Sequence, residues 1–174
     1  MPLEPGRPLS LPTDFEDAAA MTRVVKALAS VRDDLLPSVL SRCLKEALWF
    51  SWEQPRLPRP LVDGKYPRSY PWSSEARESL ARNPKRQDRP GQLIIEHIIP
   101  KRELLTVLLE EAESLVPERT FALLSDANRA VVISKAEDRL ITEAGFGHSS
   151  PDQADPWARY RAAGIDVEGF AALS

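Results

Sequence analysis

The chain has 174 residues, of which 43% are hydrophobic and 28% are charged, and its formal net charge is −3. This balance is typical of a folded protein and excludes a chain that is disordered throughout, and the length suits one ordinary domain with a single core. No apolar run approaches the roughly 18 to 20 residues that cross a bilayer, so we expect no membrane contact.

The chain contains one cysteine, Cys43. A single cysteine excludes an internal disulfide and a zinc site built from cysteines, which favours a reducing, cytoplasmic location. Because Cys43 shares helical spacing with Leu40 and Leu44, the pattern predicts that it is a small buried hydrophobe. Residues 1–12 are rich in proline and lack the basic start and apolar run of a secretory signal, so we interpret them as an arm.

Residues 13–91 are expected to form a helical region that contains a proline-rich loop. Residues 13–16 have the form of a capping box, and apolar residues recur at spacings of three and four over 15–31, which predicts a helix with one apolar face. A second apolar run covers residues 36–48. It predicts another helix, in which Pro37 is tolerated only in the first turn.

Five prolines lie between positions 55 and 71, and this stretch is expected to be irregular. Ser73 or Ser74 can cap a short helix that extends through Ala81. A basic band then covers residues 77–102, with seven basic residues against three acidic ones. The band could contact phosphates or could be a solvated surface, and the sequence leaves both interpretations open.

The pattern changes at residue 92. β-branched residues over 93–99, closed by proline, predict a strand, and leucines predict a helix over 101–115. Residues 120–124 are weakly typical of a strand. Residues 126–128, Asp-Ala-Asn, indicate a turn.

A second short strand is predicted over residues 130–133. Ser134 and Glu137 have the spacing of a capping box, which predicts a helix that carries Asp138 and ends near Gly145. The chain is expected to close with two further helices, over 155–163 and 166–173.

The order of motifs over residues 92–145 resembles that of the HNH (His-Me finger, ββα-metal) endonucleases. The string Glu-His-Ile-Ile-Pro at 96–100 is followed by Asn128 in a turn, by a strand, and by a capped helix that bears Asp138. The resemblance covers about 54 of the 174 residues. It implies two short strands and a helix that together hold one metal ion.

The resemblance also implies a role for each of these side chains. Glu96 and Asp138 would bind a divalent cation, Mg²⁺ or Mn²⁺, whose ligands are preferably oxygen atoms. His97 would be the general base that activates water, and Asn128 would brace the loop or approach the metal. Adjacent residues on a regular strand point to opposite faces, so Glu96 and His97 can serve one site only if the strand bends or ends there.

The expected fold is therefore α+β: one α-rich globular domain with N-terminal helices packed on a ββα-metal core and closed by C-terminal helices. Its segments are the arm at 1–12, the helical region at 13–91, the HNH-like module at 92–145 and the C-terminal helices at 146–174. The expected activity is hydrolysis of phosphodiester bonds in DNA, or in second place RNA. The residues expected to contact phosphates are Arg86, Arg89, Lys101, Arg102 and Arg139.

Two alternatives remain open at this stage. In the first, the chain is a non-catalytic interaction protein that keeps a degenerate HNH-like scaffold and binds a basic partner or subunit through its acidic surface. The negative net charge favours this alternative, as does Asp138 at a position where the family most often has histidine. In the second, the chain is a helical regulator, and the string at 96–100 is a coincidence.

Overall fold

A computed structural model of the chain describes residues 2–85, 87, 91–152 and 154–173. Helices and two small antiparallel sheets occur together, which confirms the predicted α+β class. In the described residues, no helix combines the length and apolar character needed to cross a bilayer. The helices are α1 (Asp14–Ser30), α2 (Pro37–Leu48), α3 (Ser74–Arg82), α4 (Lys101–Glu110), α5 (Pro117–Ala127), α6 (Lys135–Glu143) and α7 (Ala158–Ala162). The strands are β1 (Leu61–Val62), β2 (Tyr66–Pro67), β3 (Leu93–His97) and β4 (Ala130–Ser134).

The chain divides into two compact units. The unit that we call the β unit consists of Met1–Arg7, Pro58–Pro100 and Arg129–Ser174, and it contains both sheets. The helical unit consists of Pro8–Leu57 and Lys101–Asn128, and it contains α1, α2, α4 and α5. Each of the predicted segments 13–91 and 92–145 therefore contributes to both units.

In the helical unit, α1 packs against α2, α4 and α5. Its buried positions include Ala18, Met21 and Val25, which follow the predicted spacing of three and four. The hydroxyl oxygens of Thr22 and Thr120 lie 2.7 Å apart in this core, so the α1–α5 contact includes a buried hydrogen bond.

Several predictions for this unit were wrong. Phe15 and Val31, which were assigned to the apolar face, are exposed. Thr13 precedes α1, but its side chain bonds to the Asp17 carboxylate and does not cap the helix. Cys43 is exposed because α2 buries the row of leucines at spacing four that begins at Leu40, and Cys43 lies beside this row. Pro37 does occupy the first turn of α2, as predicted.

Residues 120–124, which were expected to be weakly strand-like, lie inside α5, and the predicted helix over 101–115 ends at Glu110. Pro117 begins α5 at a position where the missing N–H costs nothing, and Thr120, Leu124 and Ala127 are buried at helical spacing. Helical packing therefore overrides the weak strand preference of this short segment.

In the β unit, β3 and β4 form an antiparallel pair in which Glu96 lies opposite Val131 and His97 opposite Ala130. The pair is buried on both faces. Ile94 packs with Val131 and the aromatic residues near the C-terminus, whereas Leu93 packs on the other face with a second cluster. Helix α6 packs against both strands, so β3, β4 and α6 form a ββα arrangement.

The capping box at the start of α6 is confirmed. The Glu137 N–H donates to Ser134 Oγ at 3.1 Å, and the Ser134 N–H donates to Glu137 Oε2 at 2.8 Å. The Ser73 hydroxyl, on the residue that caps α3, donates to the same Glu137 oxygen at 2.5 Å. One buried carboxylate therefore joins the N-termini of α3 and α6, and burial raises its pKa.

The C-terminal region differs from the prediction. The helix expected over 155–163 is limited to α7, which is followed by Gly164 with a positive φ of 74°. The helix expected over 166–173 is not formed. The backbone of Ala171 instead pairs with that of Trp72 through hydrogen bonds of 2.9 and 3.0 Å, which satisfy polar groups that a helix would bond internally.

We expect Ser134→Ala to lower the free energy of unfolding by about 1 to 2 kcal/mol, because the mutation removes a buried side-chain cap. Thr13→Ala is the matched control, since Thr13 precedes a helix without capping it. The free energy of unfolding of Thr13→Ala should fall by less than about 0.5 kcal/mol. Urea denaturation of the three proteins measures both effects, and equal losses would contradict the importance of the α6 cap.

Candidate functional site

Glu96 and His97 occupy the carboxyl end of β3, where the strand terminates. Ile94 and Ile98 both pack on the cluster that contains Val131, so Glu96 faces the same side by the alternation of a strand. The next residue, Ile98, continues the pairing through one hydrogen bond from its N–H to the Arg129 carbonyl at 2.9 Å. The strand ends at the Glu-His doublet, but the alternation that brings Ile94, Glu96 and Ile98 to one face places His97 on the opposite face, with Leu93 and Ile95.

A buried arginine holds this end of the strand. Arg159, in α7, is 1% exposed and donates from Nη2 to Glu96 Oε1 at 2.8 Å. It also donates from Nη1 to the His97 carbonyl at 3.0 Å and from Nε to the Phe146 carbonyl at 2.9 Å. The guanidinium therefore connects α7 with the end of β3 and with the segment that follows α6.

Glu96 and Asp138 interact electrostatically. Burial raises the pKa of Glu96, the charges of Arg159 and His97 lower it, and the charge of Asp138 raises it further, with a net upward shift. Asp138 is half-buried in the first turn of α6. The charges of both His97 and Asp138 therefore act on the Glu96 carboxylate in the β unit.

Tyr160 lies in the same electrostatic environment. Its side chain is 0% exposed, and its hydroxyl has no hydrogen-bond partner among the described residues. Burial raises the pKa of the phenol well above its ordinary value of 10.0, and the charges of Glu96 and Asp138 add to the shift. Edge-on contacts with Trp157 and Phe170 hold the ring.

His97 is 8% exposed, so only a small part of the imidazole reaches the surface. Asn128 belongs to the helical unit and follows the last residue of α5, so the predicted turn at 126–128 is the end of a helix. The Asn128 side chain is 4% exposed, and neither its amide nitrogen nor its amide oxygen has a hydrogen-bond partner within the described ranges. A buried amide without partners is unfavourable by about 1 to 3 kcal/mol.

The residues expected to contact phosphates differ in their surroundings. Lys101 Nζ donates to the buried Glu53 carboxylate at 2.8 Å and lies 5.9 Å from the centroid of the Trp49 ring. Its positive charge is therefore partly neutralised within the helical unit. Arg102 and Arg139 are exposed. Arg86 and Arg89 lie outside the described residues.

Glu96 and Asp138 are the two carboxylates that the family resemblance assigned to a cation. Within the described part of the chain, no group of three or more His, Cys, Asp and Glu side chains is arranged to hold a metal ion. Mg²⁺ commonly uses only one or two carboxylates, and water and substrate phosphates complete its shell. A cation between Glu96 and Asp138 would reduce the repulsion between their charges. The hydrogen bond from Arg159 to Glu96 Oε1 resembles the outer hydrogen bond that often orients a carboxylate ligand.

Sequence reasoning did not identify Arg159 and Tyr160 as site residues. The signal that was present is the run Trp-Ala-Arg-Tyr-Arg at 157–161, in which an arginine lies between two aromatic residues. An arginine at a buried position must have an anionic or polar partner, and Glu96 is the acidic residue of the motif at 96–100. This pairing could have been proposed, but no local pattern selects it.

Comparisons of the chain with protein-family models, with curated proteins and with solved structures found no match. The function is therefore argued from the arrangement of Glu96, His97, Asp138 and Arg159.

We expect Arg159→Leu to destabilise the chain by about 3 to 5 kcal/mol at neutral pH, because the Glu96 carboxylate would remain buried without its cation. Arg161→Leu, in the same helix, is the matched control. Arg161 pairs with Asp155 at the surface, where an ion pair contributes less than about 1 kcal/mol. Adding Glu96→Leu to Arg159→Leu should restore part of the loss, and a double variant no more stable than the single one would contradict this assignment.

Alkaline pH provides a test of the Tyr160 environment. The folded chain keeps a phenol proton that the unfolded chain releases above pH 10.0, so this contribution to stability is complete below that pH and is lost as pH rises through the folded pKa. We expect the free energy of unfolding to fall less steeply above pH 10 in Tyr160→Phe than in the native chain. Denaturation series across that range, with phenolate absorbance as a second readout, measure the difference, and parallel curves would refute it.

Proposed function

We propose that the chain is a divalent-metal-dependent endonuclease of the HNH kind that hydrolyses phosphodiester bonds in DNA or, in second place, RNA. The main support is the electrostatic coupling of Glu96 to both His97 and Asp138. The ββα arrangement of β3, β4 and α6 adds support, because it has the element order that the family resemblance implies.

In this proposal, each side chain has a separate task. His97 accepts the proton of the attacking water, which is the role of a general base. Glu96 and Asp138 hold the cation, and Arg159 fixes the orientation of Glu96. When bound, the cation would offset the negative charge that develops on the phosphate during hydrolysis.

Exposed arginines would contact the nucleic-acid backbone. Arg139 directly follows Asp138 on α6, and Arg102 lies in the first turn of α4. Contacts of this kind are independent of base sequence, and they weaken as the salt concentration rises. The overall charge of −3 requires that such contacts be local.

One observation favours the alternative of a non-catalytic interaction protein with an HNH-like scaffold. The Glu96 carboxylate is already neutralised by the buried Arg159, so the pair could serve the fold without any metal. In that case the acidic surface of the chain would bind a basic partner or subunit. The two proposals differ in whether the chain binds a cation and cleaves nucleic acid.

A plasmid-nicking assay with Mg²⁺ or Mn²⁺ tests the catalytic proposal. We expect the native chain to nick supercoiled DNA and His97→Ala to be slower by about 100-fold or more, because the general base is lost. His148→Ala is the matched control, since His148 is the second of the two histidines and is exposed in a loop. Equal nicking by the native chain and His97→Ala would remove His97 from the mechanism.

Binding of Mn²⁺, measured by calorimetry, tests the ligand assignment separately from activity. Asp138→Asn and Glu96→Gln should weaken binding by about tenfold or more, whereas Glu143→Gln, at the exposed end of α6, should not. If the folded native chain neither binds Mn²⁺ nor nicks DNA or RNA, the interaction protein is the better assignment.

A further inference from the structure

Helix α2 has two apolar faces. One face, formed by Leu40, Leu44 and Leu48, is buried within the protein. The other face, which we call the α2 seam, is exposed, with fractions of 69% for Leu36, 43% for Val39 and 64% for Phe50. The remaining member of the α2 seam is Cys43, which is also exposed.

The members of the α2 seam have the spacing of a helix-pairing surface. Residues 36, 39, 43 and 50 are separated by three, four and seven positions. At 3.6 residues per turn, these four residues fall within a sector of about 60° around the helix axis. Phe50 lies in the π-helical turn Trp49–Glu53 that continues α2. This is the heptad spacing by which two helices pack along a narrow apolar stripe. Exposed apolar patches of this kind mark interaction surfaces.

We propose that the α2 seam binds the α2 seam of a second copy of the chain, in an antiparallel two-fold dimer centred on Cys43. In this arrangement, Leu36 of one copy lies opposite Phe50 of the second copy, and Val39 lies opposite Ala47. Each large side chain thereby gains an apolar partner, and one surface serves both copies, as two-fold symmetry requires.

The charges beside the α2 seam favour a second copy as the partner. Arg42 and Glu46 are exposed and flank the α2 seam on the same side. In the antiparallel dimer, the two-fold axis places the Arg42–Glu46 side of both copies on the same side of the interface. At a rise of 1.5 Å per residue, Arg42 is then offset by about 3 Å along the helix axis from Glu46 of the second copy. Two cross-pairs of opposite charge result. A parallel pairing would place the flanks on opposite sides and lose both pairs.

The dimer is expected to be weak. A standard stable interface buries about 800 Å² on each partner, and four side chains on one helix provide only part of that area. The copies also repel each other through their net charge of −3. We therefore expect a reversible equilibrium that depends on protein concentration.

Sedimentation velocity of the full chain, over a roughly hundredfold range of concentration, tests the dimer. The native chain should shift from monomer towards dimer, and Val39→Glu should remain monomeric. Leu140→Glu is the matched control, because Leu140 is 45% exposed on α6, outside the α2 seam. Mild oxidation should produce a covalent dimer through Cys43 in the native chain and not in Val39→Glu, since a disulfide requires Cα atoms closer than about 7 Å.

Exchange of the flanking charges tests the arrangement in chains whose folds are not disturbed. Arg42→Glu and Glu46→Arg should each weaken dimerisation by about tenfold, and the double exchange should restore it. A chain that is monomeric at every concentration, or a double exchange that restores nothing, would overturn the proposal. None of these readouts depends on nuclease activity.

Discussion

The buried guanidinium of Arg159 determines the structure at the end of β3. Arginine cannot lose its charge inside a protein, so a position that is 1% exposed requires an anion and several acceptors. The fold supplies the Glu96 carboxylate and the carbonyls of His97 and Phe146. Because these groups come from β3 and from the chain after α6, one side chain fixes the orientation of Glu96 and joins α7 to the ββα arrangement.

The same interaction sets the chemistry that Glu96 can perform. Arg159 stabilises the ionised form of Glu96, while burial and the charge of Asp138 oppose it, and the pKa remains raised. The Glu96 carboxylate is therefore in contact with a fixed cation and is also acted on by the charge of a second carboxylate. In the proposed metal site, an additional cation would favour the ionised state of both carboxylates, although Glu96 already has a partner.

Features that depend on neighbours in sequence were predictable. The cap at Ser134, the position of Pro37 in a first turn and the presence of a strand that begins at Leu93 all follow from rules that act over a few residues, although the strand ends at His97 and not at residue 99. Features that depend on packing were not. Cys43 shares helical spacing with buried leucines, yet it lies on the exposed side of α2, and α5 overrides a local strand preference through its contacts with α1.

The candidate site likewise contains residues that could be predicted from the sequence and one that could not. The Glu-His doublet and Asp138 can be recognised from the sequence, whereas the residue that determines the state of Glu96 lies 63 positions further along the chain. A motif specifies which functional groups are present, but it does not specify which of them are neutralised by the fold. An acidic residue that binds a metal and one that only balances a buried arginine can have the same local sequence. The contact with Arg159, which shows that Glu96 is neutralised by the fold, therefore cannot be deduced from residues 92–145 alone.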